Sequence, residues 1–326
     1  MVNPALILDL VERVGALASG ATTTVPLHPG DASTVEAWCA RTGNQLVRID
    51  DSGAVVRRGR PVDPVTDRPP GTRLWLYTNF DCNLACDYCC ARSSPRTPRR
   101  ALGLDRVRRL AAEAAASGVS ELLLTGGEPF LLPDIDELAA ACTARLPTTL
   151  LTNGMLFHGT RLERLRRMDR DRLALQISLD SPTPEVHDQH RGRGTWTRAL
   201  AGIHTAQSEG FRVRVAATLP FGQTADVATF HTFLDSLGIS RPDQVIRALA
   251  HRGSATTGLE LNTETLIPEI TATADGIYWH PVGADHPDQL VTRDLFPLEA
   301  AITGVHRRFT AHRAHQTQAA QWFPCA

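Results

Sequence analysis

The sequence predicts an α/β protein built around a parallel sheet, and three observations carry that prediction. From residue 74 onward, short apolar runs of strand length alternate with amphipathic stretches of helical period. The alternation forms six strand-helix units or nearly so, and such segments pack as parallel strands joined by right-handed crossovers. The notable polar and glycine residues fall where the apolar runs end, which is where parallel β/α folds bind their ligands.

Taken in order, residues 1–60 read as a small α+β domain. It comprises a helix (Pro4–Leu17), a strand (Thr22–Leu27), a helix (Ser33–Arg41) and two strands, Gln45–Ile49 and Ala54–Arg57. The last two flank Asp50-Asp51-Ser52-Gly53, a hairpin signal. The Pro/Gly/Arg-rich segment 61–72 reads as a linker. The large domain is expected over 73–255. Its strands fall at Leu74–Thr78, Glu121–Thr125, Thr148–Thr152, Leu173–Leu179, Val213–Leu219 and Gln244–Leu249. Its helices fall at Leu104–Ala116, Ile135–Arg145, Gly159–Arg167, Thr195–Glu209 and Asp226–Leu237. The first of these puts Val107, Leu110 and Ala114 on one face. Residues 256–326 form an α+β extension, with a hairpin expected around Ala274-Asp275-Gly276.

Bulk properties narrow the function. Lys and Arg number 34 against 35 Asp and Glu, so no net field favours nucleic acid or an anionic membrane. No apolar stretch approaches the roughly 20 residues of a membrane-spanning helix. Leu6–Glu12 lacks the basic leader of a secretory signal. Clustered thiols without such a signal point to a reducing compartment, and a cytoplasmic location is expected.

The chemistry concentrates in Cys82-Asn83-Leu84-Ala85-Cys86-Asp87-Tyr88-Cys89, a Cys-x3-Cys-x2-Cys run directly after the first strand. Three thiolates from one tight loop can hold three irons of a [4Fe-4S] cluster and leave the fourth iron open to a chelating molecule. A zinc site is the competing reading. It calls for a fourth Cys or His in a second close pair, and none follows nearby. Cys90 is read as a bystander, and Cys39 and Cys142, in apolar helical contexts, as core thiols.

This spacing resembles the signature of the radical S-adenosylmethionine (SAM) superfamily. The resemblance implies a partial (β/α)6 barrel, with one [4Fe-4S] cluster on Cys82, Cys86 and Cys89. It also implies SAM on the open iron, cleaved to methionine and a 5'-deoxyadenosyl radical that abstracts hydrogen from a substrate. After the second strand comes Gly126-Gly127-Glu128-Pro129. Its glycines let backbone approach a ligand closely, or mark an ordinary tight turn. The run resembles the family motif whose backbone accepts the SAM amino group. Asn153 ends the third strand, and Ser178 and Asp180, on one face, end the fourth. All three are candidates for ribose hydroxyls, with strand-end turn chemistry as the alternative. His187-Asp188-Gln189-His190-Arg191-Gly192 resembles a segment common in peptide-modifying and cofactor-maturing members. By that resemblance Arg191 pairs with the SAM carboxylate, the alternative being a solvated loop arginine. His187 and His190 are read as structural, and the ends of the fifth and sixth strands would pack on adenine.

Both flanks resemble known domains with their chemistry lost. The order of elements in residues 1–60, and the segment Asp31–Asn44 above all, resembles TusA/SirA-type sulfur carriers. Asn3-Pro4 stands where those have Cys-Pro, so a scaffold, docking or dimerisation role is expected. The hairpin segment Glu269–Pro281 resembles the start of a SPASM or twitch domain. Such a domain has cysteine where this chain has Trp279-His280-Pro281, so auxiliary clusters are not expected. A metal on His280 and Cys325 with other histidines is the sharper alternative. Seven arginines (92, 96, 99, 100, 106, 108 and 109) are read as a solvated face and loop. Recognition of an acidic substrate or electron donor is the further hypothesis.

The sequence thus reads as a radical SAM enzyme acting on a peptide or small natural product, fed by a flavodoxin- or ferredoxin-like electron donor. The alternative is a non-catalytic subunit that binds cluster and SAM in a maturation or sulfur-relay complex. Sulfur insertion is disfavoured, since the cysteines for a second cluster are missing. No catalytic side chain is assigned.

Overall fold

The computed structural model describes residues 4–18, 20–59, 71–219, 225–264 and 266–322. The chain divides into two compact units, 1–68 and 69–326. Most of the expected linker, 61–70, lies outside the described residues.

The first unit contains α1 (Pro4–Gly15), β1 (Thr22–Val25), α2 (Ala32–Thr42), β2 (Gln45–Asp50) and β3 (Gly53–Arg57). Its three strands pair antiparallel in the order β1-β3-β2. Leu6, Leu10 and Val14 recur at helical spacing on α1 and bury with Val35, Trp38 and Cys39 of α2 against Val25, Ala54 and Val56. Gly43 ends α2 with φ of 67°, a conformation that only glycine adopts without strain.

The second unit begins with β4 (Arg73–Tyr77), α3 (Leu104–Ala116), β5 (Glu121–Thr125), α4 (Ile135–Thr143), β6 (Thr148–Thr152) and α5 (Gly159–Arg167). It continues with β7 (Leu173–Ser178), α6 (Pro184–Arg191), α7 (Thr195–Ser208), β8 (Arg212–Leu219), α8 (Ala225–Ser236) and β9 (Gln244–Ala248). Strands β4 to β9 are parallel and adjacent in chain order, the run of six that the sequence predicts. Leu74, Leu76, Leu122, Leu124, Leu150, Leu175, Ile177, Val213 and Val215 belong to one core cluster, together with residues of α3, α4 and α7. The alternate positions form the other face. There Tyr77 lies opposite Thr125, Ser178 opposite Ala216, and Thr218 opposite Arg247.

Two features depart from expectation. Residues 184–191, to which the sequence assigns no element, form α6, which starts at Pro184 and buries only His187. The extension is not separate from the sheet. Its strand β10 (Thr271–Thr273) pairs parallel with β4 and turns through the expected hairpin into β11 (Gly276–Tyr278) and β12 (Leu290–Thr292), followed by α9 (Leu298–Trp322). The sheet therefore runs to nine strands, in the order β12-β11-β10-β4-β5-β6-β7-β8-β9. After the hairpin, Trp279 is fully buried and donates Nε1–H to the Leu266 carbonyl at 3.1 Å. A core indole occupies that position.

The arginine-rich stretch is largely exposed, as a solvated face and loop would be, and several of its guanidiniums are paired as well. Arg100 pairs with Asp275, Arg92 with Asp285 at 3.4 Å, and Arg106 donates to the Ala274 carbonyl. Arg99 chelates Asp81 through Nε and Nη2 at 3.1 and 3.0 Å. These guanidiniums fasten the loop after β4 to itself and to the extension. No helix among the described residues is long and apolar enough to cross a membrane.

Candidate functional site

The segment 78–100 leaves β4 at its carboxyl end and carries Cys82, Cys86 and Cys89, none of them in a disulfide. The Leu84 N–H donates to the Cys82 Sγ at 3.4 Å, and the Ser93 N–H to the Cys89 Sγ at 3.3 Å. Backbone donors aimed at sulfur favour the charged thiolate over the thiol. Burial opposes them. It pushes Cys86 up to about 11, and Cys82 higher still with the help of Glu128, Cys86 and Cys89. Cys86 is raised in turn by Cys89. A bound cation would favour the thiolate forms that burial disfavours. Among the described residues no three His, Cys, Asp or Glu side chains are gathered closely enough for a single metal ion. The donor set fits a cluster whose thiolates bind different irons. Cys325 lies outside the described residues.

The turn after β5 packs on the start of this segment. The Gly127 N–H donates to the Asn79 carbonyl at 2.9 Å, and the Glu128 N–H to the Asp81 carbonyl at 3.0 Å. A Cβ on Gly126 would stand 2.5 Å from the Asn79 oxygen, and one on Gly127 2.1 Å from the Asp81 oxygen. The glycines thus serve close approach to the chain's own backbone, where the sequence suggested approach to a ligand. The Gly126 and Gly127 carbonyls are the acceptors this turn has left to offer.

Glu128 is fully buried and does not present its carboxylate to a cofactor. It accepts from the Phe130 N–H (3.0 Å), the Thr152 hydroxyl (2.7 Å) and the Asn153 N–H (2.8 Å). Pro129 opens a short 3-10 turn behind it. Asn153 is likewise engaged within the protein. Its Nδ2 donates to the Asn83 Oδ1 at 2.8 Å, and its Oδ1 accepts from the Met155 N–H at 3.0 Å. Asn153 therefore ties the end of β6 to the cysteine loop, as turn chemistry would have it.

Asp180 is 2 % exposed and collects four donors. These are the Tyr88 hydroxyl, the Thr218 N–H at 3.0 Å, and Nε and Nη2 of Arg191 at 2.6 and 3.3 Å. A carboxylate offers about four lone-pair sites, so none remains for the ribose role expected of Asp180. Burial disfavours the charged form, but Arg191 and the other donors hold its pKa below the usual carboxylate value. Arg191 lies 5.4 Å over the Tyr88 ring, and its charge lowers the Cys86 pKa. It is a half-buried helix residue held in an ion pair, not a solvated loop arginine. His187 is structural, as expected. Its Nδ1 accepts from the Asp180 N–H at 3.2 Å, and burial together with Arg191 pushes its pKa down to about 4. His190 faces Asp87 at 3.0 Å, and the Asp87 N–H donates to the His190 carbonyl. Ser178 stands on the same sheet face as Thr218, half-buried.

The extension supplies further neighbours. Tyr77 donates its hydroxyl to the Pro281 carbonyl at 3.0 Å and stacks on Phe80. Burial pushes the Cys90 thiol up to about 12, with Tyr77 and Arg247 acting to lower it. His280 caps a short turn, accepting from the Val282 N–H. Burial and then Arg247 take its pKa down to about 3. A cavity of about 320 Å³ lies beside the cysteine loop, between Asn83, Gly154–His158 and α7. Nothing in the sequence marked it, because its walls come from three separate elements.

Residues 76–237 match the family model described as the Radical SAM superfamily. Over 152 residues the chain is 36% identical to the AdoMet-dependent heme synthase of Methanosarcina barkeri, covering 46% of this chain and 43% of that protein. It is 35% identical over 153 residues to the antilisterial bacteriocin subtilosin biosynthesis protein AlbA of Bacillus subtilis, covering 44% and 33%. It is 30% identical over 166 residues to the mycofactocin maturase MftC of Mycobacterium tuberculosis, covering 50% and 41%. The chain thus spans less than half the length of these relatives. Among solved structures, native anSMEcpe with bound AdoMet superposes with a TM-score of 0.56 at 12% identity, over 73% of this chain and 82% of that one. Likeness at that identity speaks for the fold alone.

Proposed function

The chain carries a radical SAM superfamily domain over residues 76–237, and from that premise we propose that it is a radical SAM enzyme modifying a peptide or small natural product. The observation that carries the proposal is the loop of three cysteines, none in a disulfide, at the carboxyl end of the first parallel strand. Cys82, Cys86 and Cys89 would hold one [4Fe-4S] cluster. When bound, the cluster supplies the electron that cleaves SAM to the radical that abstracts hydrogen from substrate.

The protein's own part is to place SAM and keep water away. The Gly126 and Gly127 carbonyls would accept the SAM amino group, and Ser178 a ribose hydroxyl. Arg191 would take the SAM carboxylate while Asp180 holds its guanidinium in position. Asp180 then acts through Arg191, and Glu128 and Asn153 act by joining β5, β6 and the cysteine loop. A peptide or natural-product substrate is supported by relatives named for bacteriocin and mycofactocin maturation. A flavodoxin- or ferredoxin-like protein would deliver the electron. We read the first unit as a TusA/SirA-like scaffold for docking or dimerisation, supported by its order of helix, strand, helix and hairpin.

The test is iron and sulfide per chain after anaerobic reconstitution, with EPR of the reduced protein with and without SAM. About four irons and a SAM-dependent change in the signal are expected, and none of either when all three cysteines are alanine. A wild-type chain that binds no iron, or whose signal ignores SAM, overturns the proposal. About eight irons would place a second cluster in the chain and return sulfur chemistry to consideration.

A further inference from the structure

Beyond β9 the chain turns back on itself over residues 249–259. The His251 N–H donates to the Leu259 carbonyl at 2.9 Å, and the Leu259 N–H to the Leu249 carbonyl at 2.8 Å. The crest of this turn lies on the cysteine loop. A Cβ on Gly253 would stand 2.2 Å from the Cys89 carbonyl oxygen and 2.4 Å from that of Cys90. The Gly253 φ is 65°, so glycine is required twice over, for space and for backbone conformation. The next residue, Ser254, donates its N–H to the Cys89 carbonyl at 2.9 Å. That carbonyl also accepts from the Arg92 N–H, while the Cys89 Sγ accepts from the Ser93 N–H. Cys89 is thus held at both its carbonyl and its sulfur. Arg252 anchors the same turn from the other side, donating to the Leu261 carbonyl and to the Asp288 carboxylate at 2.8 Å.

The topology explains why such a contact is useful. Strand β4 pairs with β5 and β10, and β9 pairs with β8, so the first and sixth parallel strands never meet. We propose that residues 249–259 form a strap from the sixth strand to the loop of the first. In it, Gly253 and Ser254 are positioning residues for the third ligand cysteine, and the strap limits access to Cys89 and Cys90. The proposal rests on the reading of Cys89 as a cluster ligand. The shielding part can be tested without that reading.

The experiment uses the full chain before and after anaerobic reconstitution. Before it, iodoacetamide alkylation of Cys89 and Cys90 is followed by peptide mass spectrometry. Gly253→Ala should raise the rate about tenfold by opening the strap locally, and Arg252→Ala by about threefold, because only one anchor is lost. Thr257→Ala, exposed in the same turn, should leave it unchanged. After reconstitution, Gly253→Ala should bind iron but show an altered EPR line shape and a shifted midpoint potential. Wild-type rates and spectra in both Gly253→Ala and Arg252→Ala overturn the proposal. If Gly253→Ala does not fold, as far-UV circular dichroism would show, Arg252→Ala decides by the same criteria. A wild-type chain that takes up no iron refutes the cluster reading, and the alkylation rates then decide the strap alone.

Discussion

Glu128 and Asp180 occupy equivalent places, just past the carboxyl ends of β5 and β7, and both are buried. Their pKa values are shifted in opposite directions. Burial raises Glu128, and its donors are neutral: two backbone N–H groups and one hydroxyl. Burial opposes the charge on Asp180 as well, yet the Arg191 guanidinium brings the balance below the usual value. Dipoles can orient a buried carboxylate without making its charge favourable, whereas an opposite full charge at hydrogen-bond distance can do both. The difference sorts the roles. Glu128 joins two strand ends, and Asp180 holds a cation near Cys86.

The largest expected effect comes from breaking the charged partnership. Asp180→Asn leaves the half-buried Arg191 without a counter-charge, and removing one partner of such a pair costs about 3–5 kcal/mol. The thermal midpoint should fall sharply, and SAM should bind more weakly to whatever folded, iron-loaded protein remains. Asp180→Asn combined with Arg191→Met should recover part of the stability and none of the SAM affinity. Equal stability in the single and double variants would mean that the charge pair is not what matters there.

A smaller effect is expected at Glu128. Thr152→Val removes one of its three donors and also the acceptor of the Gly154 N–H, at 3.1 Å. Leaving such buried groups unpaired costs about 1–3 kcal/mol. Denaturant unfolding should show the loss, while iron content after reconstitution should stay at the wild-type level. If Thr152→Val costs as much as Asp180→Asn, the distinction between dipolar and charged support fails.

Most of the frame was legible because the outward strand positions are nearly all Leu, Ile or Val, and the helices between them carry a clear apolar stripe. The bounds of α3 and α5 agree with the sequence reading to the residue. Helix α6 was missed because Pro184–Arg191 is polar and buries only His187, so no periodicity marks it. The pairing of β10 with β4 joins Thr271 to Trp75, and no local pattern encodes a parallel contact so distant in the chain. The cysteine motif was legible because its spacing lies within one loop. The duties of Asp180, Asn153 and Gly253 were not, because each depends on a partner brought in by another element: Arg191 and Tyr88, Asn83, and the Cys89-Cys90 backbone.

The smallest effect is also the sharpest test, since it depends on sign. Because the folded pKa of Glu128 is raised, the folded chain takes up its proton at a higher pH than the unfolded chain does. Its contribution to stability is therefore fully present below the unfolded pKa and is lost as pH rises through the folded one. Asp180, with its pKa lowered, does the reverse, and its contribution is lost only as pH falls through the folded value. Glu128→Gln keeps the shape and an acceptor but cannot titrate. At neutral pH its stability should lie within about 1 kcal/mol of wild type. On acidification toward about pH 5, wild type should gain on Glu128→Gln, as the buried carboxylate becomes a neutral acid. Urea midpoints of the metal-free chain at the two pH values measure this directly. Parallel loss in both proteins would show that Glu128 is ionised comfortably where it stands, and that its neutral donors are as effective as an arginine.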